Sequence, residues 1–261
     1  HMAADDITFS SYAGTYPYAR LADDSGTPLP LNRDYRNSFK EEMETLGFLD
    51  WSFVPLEERG RSNSNSVRDD WRVNLGLTYE VLPGLSVQAL YQYWQNTGLT
   101  ERQYQDNSYD ARNLINQFTQ MAEEGALSYA IPYGGIYNYS NSRANSHSGR
   151  LQANYAKDWE QGWKLNVRAG AEVKALESNA FSGRYYGYNP ELATTQVVDY
   201  VSLFPLSTNP FATARIPNTD GISLMRDRFY SGFANASLMY QERYLLTLSA
   251  RKDASNLFGV A

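Results

Sequence analysis

The sequence predicts an all-β chain, an antiparallel transmembrane β-barrel segment whose strands are joined by alternating tight turns and long extracellular loops. Three observations carry this. Apolar and polar residues alternate with period two in paired runs. The connections between runs are alternately very short and very long. Aromatic residues make up 14% of the chain, with 21 Tyr and no Cys, a bias that suits sheets and membrane interfaces better than compact helical cores.

Period two sends successive side chains to opposite faces of a strand. In the hairpin predicted over 68–96, Val73, Leu75, Leu77 and Tyr79 share one face, and Arg72, Asn74 and Thr78 the other. Leu82-Pro83-Gly84 supplies the turn, because Pro fixes φ and Gly permits a positive φ. The returning run sets Leu85, Val87, Ala89, Tyr91 and Tyr93 against Ser86, Gln88 and Gln92.

The second hairpin, 147–176, opposes Leu151, Ala153 and Tyr155 to Gln152 and Asn154. It turns over 157–162, then opposes Leu165, Val167, Ala169, Ala171 and Val173 to Asn166, Arg168, Glu172 and Lys174. In the third, 230–253, Ala234, Ala236, Leu238 and Tyr240 run into Gln241-Glu242-Arg243 and return as Tyr244, Leu246, Leu248 and Ala250. Polar positions such as Arg72, Asn74, Gln88, Gln152, Asn154, Asn166 and Arg168 then form a barrel interior.

The long connections, 97–146 and 177–229, are rich in Tyr, Asn, Ser and Gly. Structureless loops of such length are uncommon in compact soluble domains, whereas barrels keep short turns on one side and long loops on the other. A helix is expected within 109–122, where Ala111, Leu114, Ile115 and Phe118 fall near helical spacing. Before the first hairpin, Tyr12–Leu21 reads as extended, Asp23–Pro28 as a turn, Phe39–Leu46 as a helical turn and Arg59–Ser66 as an exposed linker. Residues 1–261 are read as one partial β-barrel domain, with His1-Met2 a cloning scar.

Composition narrows the function classes. Hydrophobic residues at 42% and charged residues at 20% argue against disorder, and a net charge of −6 without a basic stripe argues against nucleic acid. No apolar run reaches the roughly 18 residues of a membrane-spanning helix. Without Cys there is no disulfide or thiolate chemistry.

No catalytic set emerges. His147 lies between Ser146 and Ser148, but no Gly-x-Ser-x-Gly elbow accompanies it, so it reads as a polar residue at a strand entrance. The pairs Asp23/Asp24, Glu41/Glu42, Glu57/Glu58, Asp69/Asp70 and Glu123/Glu124 point to opposite faces if extended and read as solvated charges. Gly134-Gly135 lacks nucleotide-binding spacing and reads as a turn. No metal and no cofactor is expected. The candidate ligand-binding residues are Tyr185, Tyr186 and Tyr188, whose rings suit sugar stacking, and Tyr79, Tyr91, Tyr155, Tyr240 and Tyr244 fit an interfacial girdle.

Several words of the chain resemble SusC/RagA-type TonB-dependent outer-membrane transporters. They are Tyr16-Pro17-Tyr18-Ala19-Arg20-Leu21 with Asp24-Ser25-Gly26, Leu49-Asp50-Trp51 with Pro55-Leu56-Glu57-Glu58, and Ala111 through Thr119. Further on come Ile131-Pro132 with Gly134-Gly135-Ile136, Tyr186-Gly187-Tyr188-Asn189, and Tyr244 through Asp253. The resemblance spans nearly the whole chain in family order.

It implies a slice of the 22-stranded barrel of a Bacteroidetes-type nutrient importer in the cell outer membrane. Its partners would be a SusD-like surface lipoprotein, TonB acting through a plug region that the chain lacks, outer-membrane lipid, and an oligosaccharide or peptide ligand. A reading of different class, a soluble β-rich hydrolase of esterase or glycosidase type, stays open beside it. So does a pure recognition role for the loops.

Overall fold

The computed structural model describes residues 19–122 and 125–256. Residues 1–2, expected as a scar, the word at 16–18, most of 12–21 and the Glu123/Glu124 pair lie outside the described residues. The elements in order are α1 (Asn37–Thr45), α2 (Pro55–Glu58), β1 (Ser62–Leu82), β2 (Leu85–Tyr104), α3 (Tyr109–Phe118), β3 (Thr119–Met121), β4 (Leu127–Tyr129), β5 (Gly135–Trp159) and β6 (Trp163–Asn189). Then follow β7 (Thr194–Gln196), β8 (Phe204–Leu206), β9 (Asn209–Ala214), β10 (Gly221–Tyr240) and β11 (Tyr244–Ser255).

The long strands form one sheet in the order β1-β2-β5-β6-β10-β11, with β7 added to β6. β3 pairs with β4, and β8 with β9. Among the described residues no helix is long and apolar enough to cross a membrane.

β1 and β2, β5 and β6, and β10 and β11 are sheet neighbours joined by short turns, and these strands run further than alternation alone marks. β1 begins at Ser62, inside the stretch expected as a linker, and β2 continues to Tyr104. β5 and β6 extend back to Gly135 and on to Asn189, so much of the expected loops 97–146 and 177–229 is strand. The physical reason is composition. Segments such as Asn138–Asn145 are polar on both faces and carry no apolar stripe, yet ladder hydrogen bonding does not require one.

The chain divides into two compact units, each fed by three stretches. The first takes the described part of His1–Val67, with Leu99–Ser140 and Ser182–Gly221. Its core has two clusters that share α3. Ala111, Ile115 and Phe118 pack with Ile131, Ile136, Tyr186, Val198 and Ile216. Tyr109 packs with Met43, Phe48, Trp51 and Phe53.

Ser108 caps α3 by accepting from the Ala111 N–H at 3.3 Å, and helix spacing then delivers three polar side chains to one extended segment. Asn116 closes a two-way pair with Leu49, accepting from its N–H at 3.0 Å and donating to its carbonyl at 2.8 Å. Arg112 donates to the Asp50 carboxylate and, at 2.6 Å, to the Asp50 carbonyl; Asn113 accepts from Trp51 Nε1 at 2.9 Å. The words Leu49-Asp50-Trp51 and Ala111–Phe118, separate in sequence, are thus one docked pair.

The second unit comprises Arg68–Gly98, Asn141–Phe181 and Ile222–Ala261, as far as described. It holds the three tight turns. Gly84 and Gly162 take positive φ, at 84° and 82°. At Gln241-Glu242 two non-glycine residues adopt φ of 47° and 57°, an unusual demand on side-chain-bearing residues.

Candidate functional site

In the second unit the hairpins present two unlike faces. Register is read from side chains that meet across strands: Asn74 with Gln92 at 2.6 Å, Gln88 with Gln152 at 2.9 Å, Asn154 with Arg168 at 2.9 Å, and Arg150 with Glu172 at 2.9 Å. β10 and β11 pair with Asn235 opposite Ser249 and Phe233 opposite Arg251, and Ser249 donates to Asn235 at 2.6 Å. The expected interior residues Asn74, Gln88, Gln152, Asn154 and Arg168 therefore belong to one hydrogen-bonded polar face. A groove of about 310 Å³ on it is lined by Arg150, Gln152, Arg168, Phe233, Asn235 and Arg251. Gly170 makes room for Phe233, since a Cβ there would stand 2.7 Å from its Cζ.

The opposite face is apolar and bare. Leu75, Leu77, Leu246 and Leu248 are 58–69% exposed. On β10 and β11, Ala234 faces Ala250, Ala236 faces Leu248, Leu238 faces Leu246 and Tyr240 faces Tyr244. Trp163 packs on Tyr240 with ring centroids 4.4 Å apart beside the tight turns, and Lys157 lays its ammonium over Trp159 at 5.4 Å.

The candidate tyrosines lie in the first unit, on β6. Tyr185 is 42% exposed, Tyr188 half-buried and Tyr186 wholly buried. Tyr186 faces the core and donates to the Pro217 carbonyl at 2.7 Å. Tyr185 and Tyr188 instead join two β5 residues, Tyr137 and Tyr139, in a ribbon of stacked rings. Tyr137 stacks on Tyr188 at 5.0 Å, and Tyr139 on Tyr185 at 5.7 Å with planes 9° apart.

Strict alternation would separate positions 185 and 188. Gly187 resolves this with a positive φ of 59°, and the β6–β7 register shifts there. Opposite, a Cβ on Gly183 would lie 2.5 Å from Tyr139 Cε1, so the ring rests on bare backbone. Gly134-Gly135 is more than a turn. A Cβ on Gly134 would stand 2.7 Å from Gly187 Cα, and one on Gly135 2.7 Å from the Tyr104 carbonyl oxygen, so both glycines permit close backbone crossings.

Glu101 accepts from the Tyr137 hydroxyl and orients that ring. Sequence reading missed Tyr137, Tyr139 and Glu101. The available signal was Tyr137-Asn138-Tyr139, two tyrosines at strand period within a presumed loop.

His147 lies in the second unit, bonded through Nδ1 to the Tyr91 hydroxyl at 2.7 Å and packed on Tyr93 with centroids 5.0 Å apart. Both tyrosines belong to the apolar-face row of β2.

This architecture has counterparts among solved structures. No protein-family model matches the sequence, and no curated protein sequence matches it. The fold is similar to that of a chain in the structure of the RagAB peptide transporter, with a TM-score of 0.64, 15% identity and 96% of this chain covered. Similar matches are the RagAB peptide importer in its open-open state, at 0.63, and in its closed-closed state, at 0.64, both at 15% identity. The chain spans 24% of the length of each. At this identity the likeness establishes a shared fold.

Proposed function

We propose that the chain is a section of barrel wall from an outer-membrane, TonB-dependent nutrient importer of the SusC type, taking up peptides, glycans or other oligomers with a surface lipoprotein as partner. The observation that carries this is the two-faced sheet of the second unit. One face is knit by side-chain hydrogen bonds, and the other exposes consecutive rows of Leu, Val and Ala ending in Trp and Tyr. A soluble sheet of this composition buries such a face. From Trp163 to Val173 the rows run about 33 Å along the strand, or about 25 Å across a bilayer at a tilt of about 40°. The fold shared with a RagAB chain supports the same reading.

In this proposal the ribbon of Tyr137, Tyr139, Tyr185 and Tyr188 offers the stacking contacts for the oligomer, and Tyr186 anchors the strand beneath it. The function is gated passage, in which the chain's residues bind and line but break no bond.

Charge substitution tests the facing in the full-length protein. Leu75→Lys, Val87→Lys or Val167→Lys should each cost about 2–4 kcal/mol near the bilayer midplane and block insertion, while Asn74→Lys and Asn154→Lys should insert normally. Equal insertion of the two sets, read by heat-modifiable gel mobility, would overturn the proposal.

A further inference from the structure

The apolar rows of the second unit end abruptly. Gly149 lies beside Val173, and Glu177 meets Arg226, which fixes the register across β5, β6 and β10. That register places His147, Ala175 and Arg228 in the row after Val173. Asn145, Glu177 and Arg226 form the next, and Arg143, Asn179 and Leu224 the third. Arg143, Asn145, Glu177, Asn179 and Arg226 border a groove of about 670 Å³. His147 and Arg228 border an adjoining hollow of about 310 Å³.

Three guanidiniums share this patch with the Glu177 carboxylate, and Asp227 also borders the smaller hollow. Arg226 reaches Glu177 at 3.4 Å, but both side chains are more than half exposed, so the pair is weak and screened. The side chains of Arg143 and Arg228 make no hydrogen bond or ion pair among the described residues. Asp227 alternates to the polar face, where its carboxylate accepts from Ser255. Net positive charge thus sits where an apolar surface gives way to a polar one, with forked donors matched to phosphate oxygens.

We propose that Arg143, Arg226 and Arg228 bind the phosphate headgroups of membrane lipid whose acyl chains cover the adjoining Val173, Ala171 and Leu151 rows. This rests on the membrane reading above, and the test separates the two. The protein, dispersed in non-ionic micelles, is titrated with a fluorescent phosphatidic acid and with a fluorescent phosphatidylcholine, and inorganic phosphate serves as competitor.

The expected result is a preference for phosphatidic acid of at least about tenfold. Arg143→Gln with Arg226→Gln and Arg228→Gln abolishes it, and the corresponding triple Lys replacement, which keeps the charge without the fork, retains only part of it. Equal binding of both lipids, or an undiminished preference in the Gln variant, overturns the site while leaving the barrel reading intact. Displacement by inorganic phosphate at concentrations matching the lipid overturns lipid as the source. A chain that stays monomeric in plain buffer and ignores micelles overturns the barrel reading and this inference together.

Discussion

Adjacent tyrosines on one strand sit in different environments, and substitutions should separate the buried one from the one proposed to bind ligand. Tyr186→Ala removes a fully buried ring from the first unit's core and should cost about 3–5 kcal/mol, whereas Tyr186→Phe, losing the bond to the Pro217 carbonyl, should cost about 1 kcal/mol. Tyr185→Ala should leave stability within about 1 kcal/mol and instead weaken oligomer binding several-fold, as measured by calorimetry in detergent.

Asp50 gives a pH signature. Partial burial pushes its carboxyl up, but hydrogen bonds from Ser52 and the Arg112 guanidinium outweigh this and hold it below the usual Asp range. A depressed folded-state value stabilises above the unfolded pKa of about 3.9 and is lost as pH falls through the lowered one. Hydrogen exchange in α3 should therefore accelerate in Asp50→Asn at neutral pH, and the gap to the unsubstituted protein should close in acid. A gap that stays constant with pH would contradict this role for the carboxylate.

At the scale of elements, the hairpins were legible because two signals coincide in them, period two and turn chemistry. Tyr240 opposite Tyr244 and Leu238 opposite Leu246 follow directly from where the polar turn falls. Nothing in Gln241-Glu242-Arg243 announces two successive left-handed residues, since Asn-Gly is the usual solution there. Gln241→Asn with Glu242→Gly should stabilise this hairpin by about 0.5–1 kcal/mol, measured as a raised unfolding midpoint in urea. The tyrosine ribbon was half legible. Tyr185 and Tyr188 stand out as aromatics, but the bulge at Gly187 that gathers them with Tyr137 depends on a close crossing by Gly134, two segments away. Gly183→Ala should push the Tyr139 ring out of the stack, visible as loss of tyrosine–tyrosine exciton coupling.

For the molecule as a whole, the sequence carries the pattern of the wall better than its extent. Alternating apolar rows mark strands only where one face meets an oily environment. Beyond those rows β5 and β6 continue with polar residues on both faces and look like loop. The docking of α3 on Leu49-Asp50-Trp51 needed three dimensions to be seen, because no local periodicity links positions so far apart.

The two-faced sheet is tested most directly by spin labels, for which a chain without Cys is well suited. Single cysteines are introduced from Leu165 to Val173, and the labelled protein is placed in lipid. Oxygen accessibility should peak at 165, 167, 169, 171 and 173, and a polar nickel reagent should reach 166, 168, 170 and 172. Accessibility that fails to alternate, or oxygen peaks at the even positions, would contradict the account.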